Sequence, residues 1–423
     1  MRSLKLLLCA VCAAAITLAC GVTGGADTAQ HTVRVALAAP ELGSGAYSAD
    51  LSSDCGDITV LMHDGNIAVC RSAHAVCKDG KVLLSLYNAS QELIGSYTDE
   101  MFTVSGDKCT YNGIAYDGEF ELCNIQDRLK IINILPLEDY VKGVMPYEIG
   151  SNHHDEITKA FAIMARTVAV HKKHCEFGFD VCATSCCQNY KGYKIYDERL
   201  RDIVDRTKGQ ILTYMGEPIS CAYCNSNGGI SCSAADAWGG SGVPYLDSIE
   251  LDESEYVVTW QKEMTADEIS RRAAAYGATG DITDIELEYS ASGFVIKATL
   301  VDTDGNVITI EDTSKVRKFF GLNSARFEID YYITNDITTA DGNADSAGSI
   351  ITAEGIREAS AAESFKTAIA SGNKADVIAV FNGSGYGHCV GFSLAGAKVL
   401  VKKGYKYKDI ATFYFKGARI SMI

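Results

Sequence analysis

Positive charge is scarce in this chain: 38 lysines and arginines stand against 54 aspartates and glutamates over 423 residues, a formal net charge of −16. So acidic a surface repels phosphate, which excludes nucleic acid as the main partner and leaves a neutral or cationic substrate, or a neutral sugar polymer. Several catalytic signatures are missing as well. No Walker A lysine follows the glycine-rich stretch near the carboxyl end, no G-x-S-x-G elbow occurs, and no H-E-x-x-H pair is present. Internal repeats are absent. What is there, 22% charged and 47% hydrophobic residues, is the composition of a globular chain long enough for two or three domains.

The opening "MRSLKLLLCAVCAAAITLACGVTGG" sets Arg2 and Lys5 before an uncharged apolar run, the pattern of an export signal. Residues 1–24 are therefore expected to be a signal peptide or membrane anchor. Cys20, after small residues, stands where a lipoprotein signal would be cut and lipidated. The alternative is an uncleaved anchor, because the run approaches the length that spans a bilayer. Either way the body is expected outside the cytoplasm, tethered to the outer face of the cell membrane. Of the 16 cysteines, three lie in this segment and 13 in the body, an odd number at irregular spacing. Disulfides, free thiols and metal ligands all remain open.

Short alternating or apolar runs between Gly, Asp and Asn turns, such as "TVRVAL", "DITVLM" and "KVLLSLY", predict a β-rich module over 25–125. A core over 126–334 follows, opening with a strand and a turn in "RLKIINILPLEDYVKGVMPYEI". The clearest helix comes next. Ile157, Phe161, Met164 and Val168 recur at helical spacing, and Ala160, Ala162, Ile163, Ala165 and Ala169 make the other faces apolar, so the helix is buried on several sides. Asn152 or Asp155 suits its start. "WQKEMTADEISRRAAAYG" reads as helix, and "DITDIELEYSASGFVIKATLVDTDGNVITIED" as a meander with a tight "DTDGN" turn. Residues 335–375, rich in Ala, Ser, Gly, Asp and Thr, read as a linker or insertion. A glycine-rich loop and a helix over 376–423 close the core. The fold class is α+β.

Three stretches can carry chemistry. Glu148 directly precedes the buried helix; it is either a solvated loop acid or a carboxyl drawn partly out of water, where burial suits a general acid. Arg166, on that helix and five turns along from Glu148, needs a partner there. It makes a structural salt bridge, or it orients Glu148 or a sugar oxygen. "HKKHCEFGFDVCATSCCQNY" gathers His171, His174, Cys175, Cys182, Cys186 and Cys187, ligand types that tetrahedral zinc takes, with Cys221, Cys224 and Cys232 in a later loop. Finally, "NGSGYGHCVGFS" surrounds His388 with glycines. That is a tight turn, or a place where backbone approaches a ligand with His388 as donor.

"LEDYVKGVMPYEI", "ITKAFAIMARTVA" with "FDVCATSCCQNYKG", and "GSGYGHCVGFSLAGAKVLVKKGYKYKDIATFYF" together resemble the stage II sporulation protein D family, as do "YCNSNGG", "PYLDSI" and "VRKFFGLNSARFEI". The likeness runs from about 130 to the carboxyl end, outside 335–375. It implies an exported lytic transglycosylase that cuts the MurNAc–GlcNAc bond of peptidoglycan glycan strands during engulfment of the forespore, leaving 1,6-anhydro-muramic ends. The family's catalytic glutamate falls on Glu148 and its helix arginine on Arg166. Gln188 and Tyr190 match its Cys-Gln-x-Tyr, and His388 its glycine-rich histidine. The resemblance also implies a structural zinc, for which His174, Cys182 and Cys187 match best, with Cys186 and Cys224 as further ligands. The chain departs from the family pattern at Phe161 and Leu394 (both Gln), Val168 (Tyr), Cys186 and Cys224 (both His), Cys389 (Gly) and Phe392 (Met). Other readings are a non-enzymatic peptidoglycan binder that activates a partner amidase, and an amidase using zinc catalytically.

Overall fold

The computed structural model describes residues 31–334, 348–352, 355–362, 364–371 and 377–423. The expected signal or anchor at 1–24, including Cys20, lies outside the described residues. Among the described residues no helix is long and apolar enough to cross a membrane.

Alternation in the amino-terminal sequence becomes two sheets. A seven-stranded sheet runs in the order 181–182, 32–38, 128–136, 119–125, 101–105, 58–62, 67–70, and a six-stranded sheet in the order 114–115, 109–111, 48–53, 72–78, 81–87, 93–99. All pairs are antiparallel except Val35 and Ala36 against Val181 and Cys182. Every second residue points inward, as a pleated strand requires: Ile58, Val60 and Met62 from one sheet share a core with Val82, Leu84 and Leu86 from the other.

Strand Arg128–Pro136 leads straight into helix α1, Leu137–Glu148, and then α2, Asp155–His171. The turn expected before Glu148 is thus a helix, in which Gly143 and Pro146 are tolerated. It ends where Gly150 takes φ +72°, the left-handed conformation that stops a helix. His154, rather than Asn152 or Asp155, caps α2, its Nδ1 accepting from the Glu156 amide at 3.2 Å. Further helices are α3 (Glu198–Arg206), α4 (Ala234–Trp238), α5 (Ala266–Ala274), α6 (Thr313–Phe320), α7 (Phe365–Ser371), α8 (Leu394–Lys402) and α9 (Tyr407–Phe413). α2 is enclosed by α1, α3, α8, α9 and strand Gln210–Tyr214, which accounts for its apolar faces.

One hydrophobic core continues from Val33 through α1 and α2 to Phe415, so the boundary expected at 125/126 cuts across it. A second core is built by residues from Met264 to Phe381. Its five-stranded sheet has the order 259–265, 377–384, 327–334, 355–362, 348–352, and its three-stranded meander has the order 282–289, 295–302, 307–311. "WQKEMT" is therefore strand, and only the residues after it form α5. Part of the expected linker or insertion 335–375 is folded: 348–352 pairs with 355–362, which in turn pairs with strand 327–334, and α7 follows. Residues 335–347, 353–354, 363 and 372–376 lie outside the described residues. The chain closes by pairing Arg419–Met422 with Gln210–Tyr214.

Candidate functional site

Glu148 is the last residue of α1, the end of a helix where the macrodipole favours cations over carboxylates. Three donors offset that placement. The Asn189 amide reaches Oε1 at 2.6 Å and the Asn189 side chain reaches it at 2.8 Å, while the Tyr223 hydroxyl donates to Oε2 at 2.7 Å. Burial first, and the Glu148 carboxylate second, push the Tyr223 hydroxyl well above its ordinary value, so it stays protonated and acts as a donor. Tyr223 is itself fixed by strand 223–224, which pairs in parallel with Phe392–Ser393, and by Phe161, whose ring stands edge-on at 4.8 Å. Gln188 sits behind this pair, accepting from the Tyr140 hydroxyl at 3.1 Å and donating to the Tyr223 hydroxyl at 3.5 Å.

The carboxylate opens into a cleft of about 370 Å³. Its walls include Asn189, Tyr223, Lys173, Trp238 and His388, and among the described lining residues Glu148 is the one carboxylate. Trp238, 48% exposed at the end of α4, stands 5.7 Å from the His388 ring. His388 accepts from the Val390 amide at Nδ1, 3.0 Å away. Burial, then Arg317, lowers its pKa to about 4, against a weaker upward pull from a Tyr223 backbone hydrogen bond. The ring is therefore neutral near pH 7, with its proton on Nε2.

The other expected site residues separate into near and far. Arg166 does not orient Glu148. It is fully buried and forks onto Glu138, Nε to Oε1 at 2.9 Å and Nη2 to Oε2 at 2.7 Å, while Nη1 donates to the Gln210 carbonyl at 2.9 Å. Glu138 lies in the first turn of α1 and Glu148 at its end, about 15 Å away at 1.5 Å per residue. The guanidinium ties α1 to α2 and the 210–214 strand, and it faces no cleft. Tyr190 is likewise internal, its hydroxyl donating to Asn133 at 2.8 Å, so both are corrected from substrate contacts to structural residues. Phe161 and Leu394, which replace glutamines of the family pattern, pack against the core and do not line the cleft.

A second cluster adjoins the cleft, whose lining includes Cys186 and Cys187. The ligand atoms of His174, Cys182, Cys186 and Cys187 all lie within 4.8 Å of one another. Cys186 Sγ is 3.5 Å from His174 Nε2. Tetrahedral zinc with bonds of about 2.0–2.3 Å sets neighbouring ligand atoms about 3.5–3.8 Å apart, so this Cys₃His set fits after a small contraction. Hydrogen bonds from Cys187 foremost, with Thr184 and Cys186 adding to them, lower the Cys182 thiol, while Cys187 is raised. Cys224 does not join them. Its Sγ donates to Asn227 at 2.8 Å, close to Cys389. Cys389 holds φ +58°, the left-handed region that glycine occupies without cost, at the position where the family pattern has glycine.

Sequence reasoning missed Asn189, Tyr223, Glu138 and Trp238. Only Trp238 carried a local signal, as one of two tryptophans in 423 residues.

The fold and site define an α+β protein with a single donor-clamped carboxylate in an aromatic-walled cleft, beside a cluster suited to one metal ion. Residues 125–214 match the family profile described as "Stage II sporulation protein", which spans both Glu148 and the Cys₃His cluster. Over this segment, and in the relatives that follow, the chain is similar to the stage II sporulation protein D family. It is 27% identical over 336 residues to an uncharacterized protein of Brachyspira hyodysenteriae, covering 77% of this chain and 78% of that one. It is 25% identical over 310 residues to stage II sporulation protein D of Bacillus subtilis, covering 68% of this chain and 75% of that protein. The amidase enhancer of Bacillus subtilis is 26% identical over 290 residues, covering 66% of this chain but only 40% of the enhancer's length.

Proposed function

We propose that this chain is an exported, membrane-tethered lytic transglycosylase that cuts the MurNAc–GlcNAc bond of peptidoglycan during the engulfment step of sporulation. The observation that carries this reading is the solitary carboxylate of the cleft. A glycosidase that uses water or a covalent intermediate needs two carboxyl groups about 5–9.5 Å apart. One suffices when the nucleophile is the muramic C6 hydroxyl, already held by the substrate.

In that reaction the protonated Glu148 gives its proton to the glycosidic oxygen as the C1–O bond breaks. The C6 oxygen then bonds to C1, and the Glu148 carboxylate takes the hydroxyl proton, so no water is consumed and the acid is regenerated. Asn189 and Tyr223 fix the position of the Glu148 side chain between its two neighbouring elements. Trp238 supplies an exposed aromatic face for a sugar ring. Mass analysis of stripped glycan strands after digestion tests the reading: fragments should end in 1,6-anhydro-MurNAc and their masses should sum to the parent, whereas new reducing ends would refute it.

For the metal, we propose one zinc held by His174, Cys182, Cys186 and Cys187. Four protein ligands leave no open position, so zinc would cross-link the 174–187 segment rather than take part in bond cleavage. Cys187 is two residues from Asn189, so the cross-link would anchor the strongest clamp on Glu148. A closed site also argues against the zinc amidase. A second reading, a peptidoglycan binder that activates a partner amidase, is supported by the amidase enhancer among the relatives. It would show retention on sacculi with no new ends of either kind.

A further inference from the structure

The second hydrophobic core carries a cleft that the reaction above does not use. It has a volume of about 570 Å³ and opens where the five-stranded sheet meets the 289–293 turn of the meander. Trp260, Gly383 and Phe327 form one cross-strand row, each paired with the next. Gly383 has no side chain, so the indole lies directly across its backbone; a Cβ there would collide with the ring. Tyr289, 46% exposed, adds a second aromatic wall. Arg326, Asn382 and Ser384 supply polar groups around this apolar floor. An aromatic surface with a few fixed polar groups, in a space of several hundred Å³, is the chemistry of a small-molecule or sugar site.

Two contacts join this cleft to the one that holds Glu148. The Trp260 indole N–H donates to the Gly385 carbonyl at 3.0 Å, and Gly385 is three residues from His388, at most about 11 Å of chain. Arg326 donates to the Gly228 carbonyl, in the loop that follows Tyr223 and Cys224. The 382–388 segment therefore lines both clefts, through Asn382, Gly383 and Ser384 in one and His388 in the other. We infer that the Trp260–Tyr289 cleft is a second saccharide subsite, taking an N-acetylhexosamine ring of the glycan strand whose neighbouring part lies at Glu148. The inference rests on the proposed glycan substrate and extends it: the chain would grip a run of sugars rather than one linkage.

The two tryptophans of the sequence allow each cleft to be read alone. In full-length Trp238→Phe, Trp260 is the sole indole reporter, and in Trp260→Phe it is Trp238. N-acetylglucosamine tetramer, titrated into each with Glu148→Gln added, should change both emissions saturably. Adding Tyr289→Ala to the Trp238→Phe protein should weaken the Trp260 response at least tenfold. In the Trp260→Phe protein, the same Tyr289→Ala change should leave unchanged the Trp238 response to the N-acetylglucosamine disaccharide, which is too short to reach both clefts. A saturable response at Trp238 with none at Trp260 would overturn the second subsite and leave the Glu148 reading standing. Silence at both would remove the glycan substrate itself. A Trp260 response to a free stem peptide, and not to the tetramer, would also overturn the assignment.

Discussion

Replacing Arg166 with methionine separates a structural arginine from a catalytic one. The guanidinium is fully buried and donates twice to Glu138, and to the carbonyls of Gln210, Ala162 and Val204. Methionine fills most of the volume but leaves Glu138 largely withdrawn from water, its remaining donor the Gly209 amide at 3.0 Å. Breaking one side of a buried ion pair costs about 3–5 kcal/mol, a large part of a typical total stability of about 5–15 kcal/mol. Arg166→Lys should be only partly better, since an ammonium cannot make the fork. The double change Arg166→Met with Glu138→Leu should recover much of the loss, because no charge is then stranded. Guanidinium unfolding followed by far-UV circular dichroism gives the stabilities, and glycan cleavage per folded molecule gives the function. Unchanged stability with lost cleavage in Arg166→Met would refute the structural assignment and return the arginine to the site.

Tyr223→Phe keeps the packing on Phe161 and removes the donor to Glu148 Oε2, a bond to a charged group worth about 1.5–3 kcal/mol. Cleavage should fall about 10–100-fold with little change in melting temperature, measured by initial rates on stripped strands. Elemental analysis of protein purified under reducing, chelator-free conditions should find about one zinc per chain, and Cys182→Ser or Cys187→Ser should lose it; wild-type protein without zinc would rule the site out. For His388, burial lowers the folded-state pKa from 6.5 to about 4, so the unfolded chain takes up its proton first as pH falls. Its stabilising contribution is present above about pH 6.5 and lost on descent to about pH 4, at most about 3 kcal/mol. His388→Gln should flatten that part of the stability–pH curve, and an unaltered slope would count against a half-buried neutral ring.

Local patterns were legible in the sequence, and long-range partnerships were not. The helix carrying Arg166 was readable because its apolar residues recur at helical spacing on nearly every face. α1 was hidden by Gly143 and Pro146, which break helical propensity and are tolerated here because its inner face, Tyr140, Val141 and Val144, is buried. His174 and the cysteines at 182, 186 and 187 lie within 14 residues, so their chemistry showed directly. Cys224 matched by family position yet is held elsewhere by Asn227. Nothing local pairs Arg166 with Glu138, 28 residues earlier, or sets Asn189 against Glu148, 41 residues earlier; both depend on how elements pack. The small polar composition of 335–375 reads as a linker or insertion and carries no strand signal, although 348–352 and 355–362 pair as strands.

The most direct measurement compares wild-type and Glu148→Gln protein on stripped glycan strands, with products resolved by mass and melting temperatures recorded alongside. Glutamine can still accept from Asn189 but cannot deliver a proton to the bridging oxygen, so anhydro ends should appear with the wild type and vanish with the variant at nearly equal melting temperature. Undiminished release of anhydro ends by Glu148→Gln would contradict the account.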